Sequence, residues 1–434
     1  MNAGERSGYA PPFDLPSTLT FSPMPHSDRP TPLAGAGRDL RSNDVIFRMH
    51  HAARARRAQG ADVIDSTLGA LLHDDGSLAV LPASLQAMRE VPADEAAAYS
   101  PLSGRPDLIT AIERDVLPEG PPRHMATSVV TPGGTGAIYQ AMVNFLEPGQ
   151  TALAPELSWG PYGMLADRTG RRLDRFRTFD EDGAFDLEAL ERSLLRQAED
   201  QGRILLLVNT PGQNPTGYTL TQDDWSGIAA AVEALPDHVP VTVLLDLAYL
   251  RYGLGPDAWW DAVDRILLRG TVLIAWTASK TFTQYGARIG ALIALHPNAE
   301  AREEMNRAFD LTCRGTWSAC NHAGQLGVLR LLEDEELRRA SDRERGEFID
   351  LLGDRWEAFS AAADAHGLHT PPWSGGFFTC VLCPDSHVMA HRLAERDVFT
   401  VPVSGGLRIA LCATSADRMP DLASAVAETI RGVG

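Results

Sequence analysis

The chain is predicted to be an α/β protein, with a large domain around a mostly parallel sheet flanked by helices and a smaller α+β unit after it. Three observations predict this. From about residue 85, helical patterns alternate with short apolar runs, as in chains that wrap helices over a parallel sheet. Most of those runs end on polar or glycine-bearing residues, at the strand ends where open α/β sheets hold ligands. Beyond a long helical tract at 322–363, two more apolar runs, 377–382 and 407–411, supply strands for the smaller unit.

Taken in order, residues 1–42 are rich in Pro, Ser and Gly without a sustained period and read as an arm or extension. A helix is expected at 43–59, followed by the run V-I-D-S-T-L-G-A-L-L from Val63. Strands are expected at 128–130, 151–153, 204–208, 241–245 and 272–276. The first leads into T-P-G-G-T-G-A and a helix with Ile138, Met142 and Phe145 on one face. A glycine-rich turn opening a helix presents backbone N–H groups at the positive end of the dipole, which suits a phosphate. Trp159 follows the second strand, and N-T-P-G-Q-N-P-T-G ends the third, with Asn214 in a proline-bounded turn. The fourth delivers Asp246, Ala248 and Tyr249. A carboxylate directly after so apolar a run is expected to be partly buried, and a buried carboxylate needs a partner. The fifth empties into a polar segment carrying Lys280 and then Arg288, while Arg408 sits in G-G-L-R-I-A-L.

Composition narrows the function. A formal charge of −18 argues against a nucleic-acid or anionic-membrane surface. No apolar run approaches the ~20 residues of a membrane span, and the N-terminus lacks the basic-then-apolar pattern of a signal peptide. Five cysteines in 434 residues do not make a disulfide framework, so a cytoplasmic location is expected. Cys380 and Cys383 have C-x-x-C spacing but lie in an apolar strand with no second Cys/His pair nearby, so no metal site is expected. Of the 39 lysines and arginines, Lys280 alone is lysine. Arginine stays protonated, whereas a buried lysine can lose its proton and attack a carbonyl, so the retained lysine points to chemistry.

An amine nucleophile, a buried carboxylate, a phosphate cradle, an aromatic plane and two arginines together fit pyridoxal 5′-phosphate. With N-P-T-G, D-x-A-Y and S-K-x-F-x-x-Y-x-x-R-x-G in this order, the chain resembles the fold-type I pyridoxal-phosphate enzymes of the aspartate aminotransferase family. The resemblance covers almost everything after residue 43. It implies an arm at 1–42, the N-terminal part of a small domain at 43–84, a large cofactor domain at 85–335 and the rest of the small domain at 336–434.

By the same resemblance, Lys280 bonds the cofactor and then moves the substrate proton. Asp246 keeps the pyridine nitrogen protonated, so that the ring withdraws electrons. Tyr249 and Asn214 donate to the ring O3′, and Trp159 stacks on the ring face. Gly134, Thr135, Thr277, Ser279 and Arg288 form the phosphate cup, with Arg288 as a planar fork. Tyr99, in A-Y-S-P-L-S-G, reaches the phosphate from a second subunit. Arg408 grips the substrate α-carboxylate, Gly69 lets the chain pass close to the substrate, and Arg314 binds a distal carboxylate across the dimer interface.

The resemblance therefore implies a homodimer with shared sites that exchanges an amino group between an amino acid and a 2-oxo acid. Two departures bear on the substrate. After Arg314 the family tends to read tyrosine, serine, asparagine and prolines; here stand Trp317, Ser318, Ala319 and Cys320. The histidines usually behind the ring are replaced by Tyr162 and Asn209. Two arginines favour an acidic amino acid, and Trp317 an aromatic one. Elimination, replacement or carbon–carbon bond formation with the same cofactor is the alternative reaction. A non-catalytic cofactor-binding regulator is the remote one, for which the arm shows no helix-turn-helix pattern.

Overall fold

Strict alternation of side chains explains why the central strands read as unbroken apolar runs. In the computed structural model, which describes residues 45–254 and 259–432, those strands are covered on both faces. The expected arm at 1–42 lies outside the described residues. The strands, in chain order, are β1 (Ile64–Asp65), β2 (Ala126–Thr131), β3 (Thr151–Pro155), β4 (Arg172–Phe176), β5 (Ile204–Asn209) and β6 (Val241–Asp246). They continue with β7 (Thr271–Thr277), β8 (Gly290–Leu295), β9 (Phe378–Leu382), β10 (Val398–Phe399), β11 (Val401–Val403) and β12 (Gly406–Ala410).

Seven strands form one sheet in the order β2-β8-β7-β6-β5-β3-β4. Its ladders are parallel except around β8, which runs antiparallel to both β2 and β7. In β5, Ile204, Leu206 and Val208 join the core on one face, while Leu205 and Leu207 join the core on the other. The same division holds in β7 for Val272, Ile274 and Trp276 against Leu273 and Ala275. Every residue of β5, β6, β7 and β8 is buried, as expected of strands covered by helices on both sides.

Register sets the functional edge of this sheet. Asn209, Asp246 and Ala275 are partners across β5, β6 and β7. One step further out, Thr277, Gly290 and Thr131 are partners across β7, β8 and β2. Four strands, β2, β5, β6 and β7, thus finish their apolar stretch together where β8 begins, and the polar residues that follow them converge on one rim.

The expected helical tract at 322–363 is two helices, His322–Glu333 and Glu335–His366. The break is Asp334, whose side chain accepts from the backbone N–H groups of Glu336 and Leu337 and so starts the second helix afresh. That second helix places Leu337 in the core of the large sheet. It then carries Phe348, Leu352 and Phe359 into a separate core with β9 and β12. There β11, β12 and β9 form an antiparallel sheet. β1 pairs in parallel with β10, which brings the segment after Val63 beside the C-terminal strands.

Candidate active site

The cavity at the carboxyl rim of β5, β6 and β7 encloses about 140 Å³. It is lined by Gly134, Thr135, Trp159, Asn214, Asp246, Tyr249, Thr277, Ser279, Lys280 and Arg288, together with Ile138, Asn209 and Ala248. Residues expected from five separate stretches of sequence therefore meet in one place.

Lys280 lies in a one-turn helix, Ala278–Thr281, that begins where β7 stops. Thr277 caps that turn by accepting from the Ser279 N–H. Burial pushes the Lys280 ammonium down to about 8, and the nearby Arg288 and Arg408 guanidiniums push in the same direction. Its Nζ stands 5.0 Å from the centre of the Tyr285 ring.

Asp246 closes β6 and is buried. Its Oδ2 accepts from the Tyr162 hydroxyl at 2.6 Å, and its Oδ1 from the Ala248 N–H at 3.2 Å. Burial raises its pKa, and these donors together with Lys280 oppose the rise. Asn209 donates through Nδ2 to the Asp246 carbonyl at 2.8 Å and accepts from the Asn214 N–H at 2.8 Å. Tyr162 and Asn209 thus fix the carboxylate and the asparagine turn. Tyr162 is itself buried and meets the Trp159 ring edge-on at 5.5 Å. Tyr249 is buried against Phe377 and Phe378, and burial raises its phenol well above the ordinary range while Asn214 hydrogen-bonds it.

The anion-binding side is built from β2, β7 and the helix Gly133–Phe145. Arg288 adopts φ of 54° and Gly133 φ of 72°. In that geometry Arg288 Nη1 donates to Ser279 Oγ at 3.2 Å, and Nη2 to the Pro132 carbonyl at 3.2 Å. A Cβ on Gly133 would fall 2.4 Å from Arg288 Nη2, and one on Gly290 would fall 2.5 Å from the Gly133 carbonyl carbon. Both glycines are needed for the guanidinium to lie across the start of the helix. Its first N–H groups have no intrahelical acceptor, so helix terminus, hydroxyls and guanidinium together suit a phosphate.

Arg408, in β12, is buried. It donates through Nη1 to Asn214 Oδ1 at 3.4 Å and through Nη2 to the Thr67 carbonyl, with its guanidinium 4.3 Å from the centre of the Phe378 ring. Gly69 lies over the same ring, where an added Cβ would come 3.2 Å from Phe378 Cζ. Neither residue lines the cavity, but Asn214 links Arg408 to it.

Tyr99 and Arg314 are not brought to this cavity by their own chain. Tyr99 is 98% exposed. Arg314 is exposed at the end of the helix Ala299–Gly315, where it donates to Ser318 Oγ at 2.9 Å. Tyr285 carries more than its motif position suggested: its hydroxyl accepts from the Leu71 N–H at 3.0 Å, tying the Gly69 segment to the Lys280 turn. Cys380 and Cys383 are buried free thiols, as are the other three cysteines.

The donor set fits pyridoxal phosphate in each part: a neutralisable amine, a buried carboxylate for a ring cation, an indole at the cavity wall and a cup for a dianion. The aminotransferase class I and II family matches residues 61–426. The chain is 28% identical over 410 residues to the aromatic-amino-acid aminotransferase of Paracoccus denitrificans, covering 89% of this chain and 97% of that one. It is 27% identical over 347 residues to the aspartate aminotransferase of Pseudomonas aeruginosa, covering 76% and 82%. The crystal structure of an aminotransferase from Anaerococcus prevotii superposes with a TM-score of 0.83 at 27% identity, covering 92% of this chain and 99% of that one.

Proposed function

Because the chain belongs to the aminotransferase class I and II family and is a pyridoxal-phosphate-dependent aminotransferase, we propose that the cavity around Lys280 is where it exchanges amino groups. The observation that carries this is the convergence of Lys280, Asp246 and the Arg288 cup on one small cavity. The elimination, replacement and carbon–carbon-bond readings are not favoured, since the relatives are named for amino transfer.

When bound, pyridoxal phosphate supplies a carbonyl that accepts the amino group and a ring that withdraws electrons from the substrate carbon. Lys280, whose ammonium burial brings down to about 8, supplies a neutral amine more readily than an ordinary lysine and would move the proton of the substrate α-carbon through Nζ. Asp246, oriented by Tyr162, would hold the proton on the ring nitrogen. Tyr249 and Asn214 would hydrogen-bond the ring oxygen, Trp159 would cover the ring, and Arg288 with Ser279, Thr277, Gly134 and Thr135 would retain the phosphate. Arg408 binds the α-carboxylate with a guanidinium already positioned by Asn214 and Thr67, so little ordering is left to do on binding.

The enzyme works as a homodimer in this reading, with Tyr99 and Arg314 completing the partner's site; the exposure of both is what such a role requires. It is cytoplasmic, and among the described residues no helix is long and apolar enough to cross a membrane. The large part spans 85–335, and the small part combines 43–84 with 336–434.

The preferred amino donor is dicarboxylic, with Arg408 on the α-carboxylate and Arg314 of the partner subunit on the distal one. A second reading, an aromatic donor, is supported by Trp317, whose ring meets Tyr139 edge-on at 6.0 Å beside Arg314, and by the aromatic-amino-acid relative. Single-turnover mixing of holoenzyme with glutamate, aspartate, phenylalanine and methionine separates them. The dicarboxylic reading expects glutamate and aspartate to react fastest and Arg314→Ala to slow those two alone. Faster reaction with phenylalanine, unaffected by Arg314→Ala, supports the aromatic reading instead.

A further inference from the structure

Arg408 receives part of its orientation from a carbonyl on the segment after β1, and that segment is itself held by a carboxylate. Asp65 Oδ1 accepts from the Thr67 N–H at 3.2 Å and from Thr67 Oγ1 at 2.5 Å. Asp65 Oδ2 meets His50 Nδ1 at 2.9 Å, and His50 comes from the helix Val45–Ala58. The Thr67 carbonyl then accepts from Arg408 Nη2. One chain of contacts therefore runs His50, Asp65, Thr67, Arg408, Asn214 and ends at the cavity wall.

His50 and Asp65 line an open cavity of about 590 Å³, whereas Ser66 and Thr67 are buried behind them. The flanking residues have their own anchors. Ser66 Oγ accepts from the Ala410 N–H at 2.7 Å, Cys412 Sγ donates to the Leu68 carbonyl at 3.3 Å, and Leu71 N–H donates to Tyr285. Thr67, whose carbonyl Arg408 meets, is the residue that Asp65 ties down through its N–H and hydroxyl.

We propose that Asp65, held by His50, is a positioning residue for substrate binding: through the Thr67 carbonyl it aims Arg408 at the substrate α-carboxylate. The proposal rests on the reading of Arg408 as the α-carboxylate group's partner. Asp65 touches neither substrate nor cofactor, so its loss weakens binding of ligands that carry an α-carboxylate and leaves the rate of proton movement alone.

The test is single-turnover titration of holoenzyme with two pairs, glutamate against 4-aminobutyrate and phenylalanine against 2-phenylethylamine, each differing only in the α-carboxylate. Asp65→Ala raises the half-saturating concentration of the amino acids about tenfold, the loss expected when one charge-assisted hydrogen bond no longer has its support. It leaves the limiting rate within about twofold, and the two amines bind as in the wild type. Asp65→Asn, which keeps an acceptor oxygen for Thr67, restores most of the affinity. Thr67→Val, a smaller change than Asp65→Ala, shows the same selectivity for the amino acids. Equal weakening for amino acids and amines, or a fall in limiting rate at unchanged half-saturation, overturns the proposal. A normal Asp65→Ala enzyme beside a selectively impaired Arg408→Ala enzyme overturns it alone. An Arg408→Ala enzyme that binds both members of each pair as the wild type does removes the reading of Arg408, and this proposal with it.

Discussion

Asp246 and Lys280 are set up by burial in opposite directions, and the consequences are measurable. Burial disfavours each charge, so the carboxylate needs its donors and the amine loses its proton readily. Tyr162→Phe removes a 2.6 Å donor from a buried oxygen and puts nothing in its place. Transamination is expected to fall about tenfold, with cofactor still bound, which steady-state kinetics on the holoenzyme measures. Asp246→Asn, which cannot hold a ring cation, is expected to lose at least about a hundredfold. For Lys280, the neutral amine is the reactive form, and its fraction grows as pH rises through about 8. Cofactor uptake by the apoenzyme is therefore expected to accelerate with pH and level off above that value. An inflection at the ordinary 10.5 of lysine contradicts the effect of burial. At this scale most of the cavity was legible in the sequence, because its residues sit in short motifs of fixed spacing. Tyr162 was visible only as a departure from family pattern, since its bond to Asp246 joins residues 84 positions apart.

The elements show why those motifs meet. β5, β6 and β7 end in register, and each releases its polar residues on the same rim. The Gly133 turn and the start of β8 then approach so closely that no side chain fits at either glycine. Gly290→Ala is expected to push the Gly133 turn away and weaken cofactor retention at least about tenfold, measured by equilibrium dialysis, while the fold persists by circular dichroism. Loss of fold without any change in cofactor affinity among the surviving molecules would contradict this.

The strands that carry the site were readable because they are buried on both faces and hence apolar throughout. β4 was not, because R-L-D-R-F is an edge strand with charges facing solvent. β8 was hidden inside the stretch after Arg288, where its opening glycine reads as a loop. The two-helix break at Asp334 was also missed, because an acidic residue among acidic residues looks like more helix. Asp334→Ala is expected to cost about 1 kcal/mol in urea unfolding, the usual worth of an N-cap.

At the scale of the whole molecule, the proposed homodimer needs two chains for one complete site. Tyr99 and Arg314 stand exposed on their own protomer, and within one chain neither reaches the cavity. Mixing inactive Lys280→Ala with impaired Arg314→Ala, then allowing exchange, is expected to restore activity toward glutamate in the hybrid dimers, each of which regains one intact site. A fully active monomer in sedimentation analysis contradicts the shared site. What remains most direct is the lysine itself. Lys280 is the only lysine in the chain, so no other ε-amine competes for the cofactor. Borohydride reduction of the holoenzyme followed by peptide mass mapping is expected to fix the cofactor irreversibly to the peptide holding Lys280, and Lys280→Ala is expected to lose at least about a thousandfold in turnover. Cofactor recovered free after reduction, or a Lys280→Ala enzyme that turns over at the normal rate, contradicts the account.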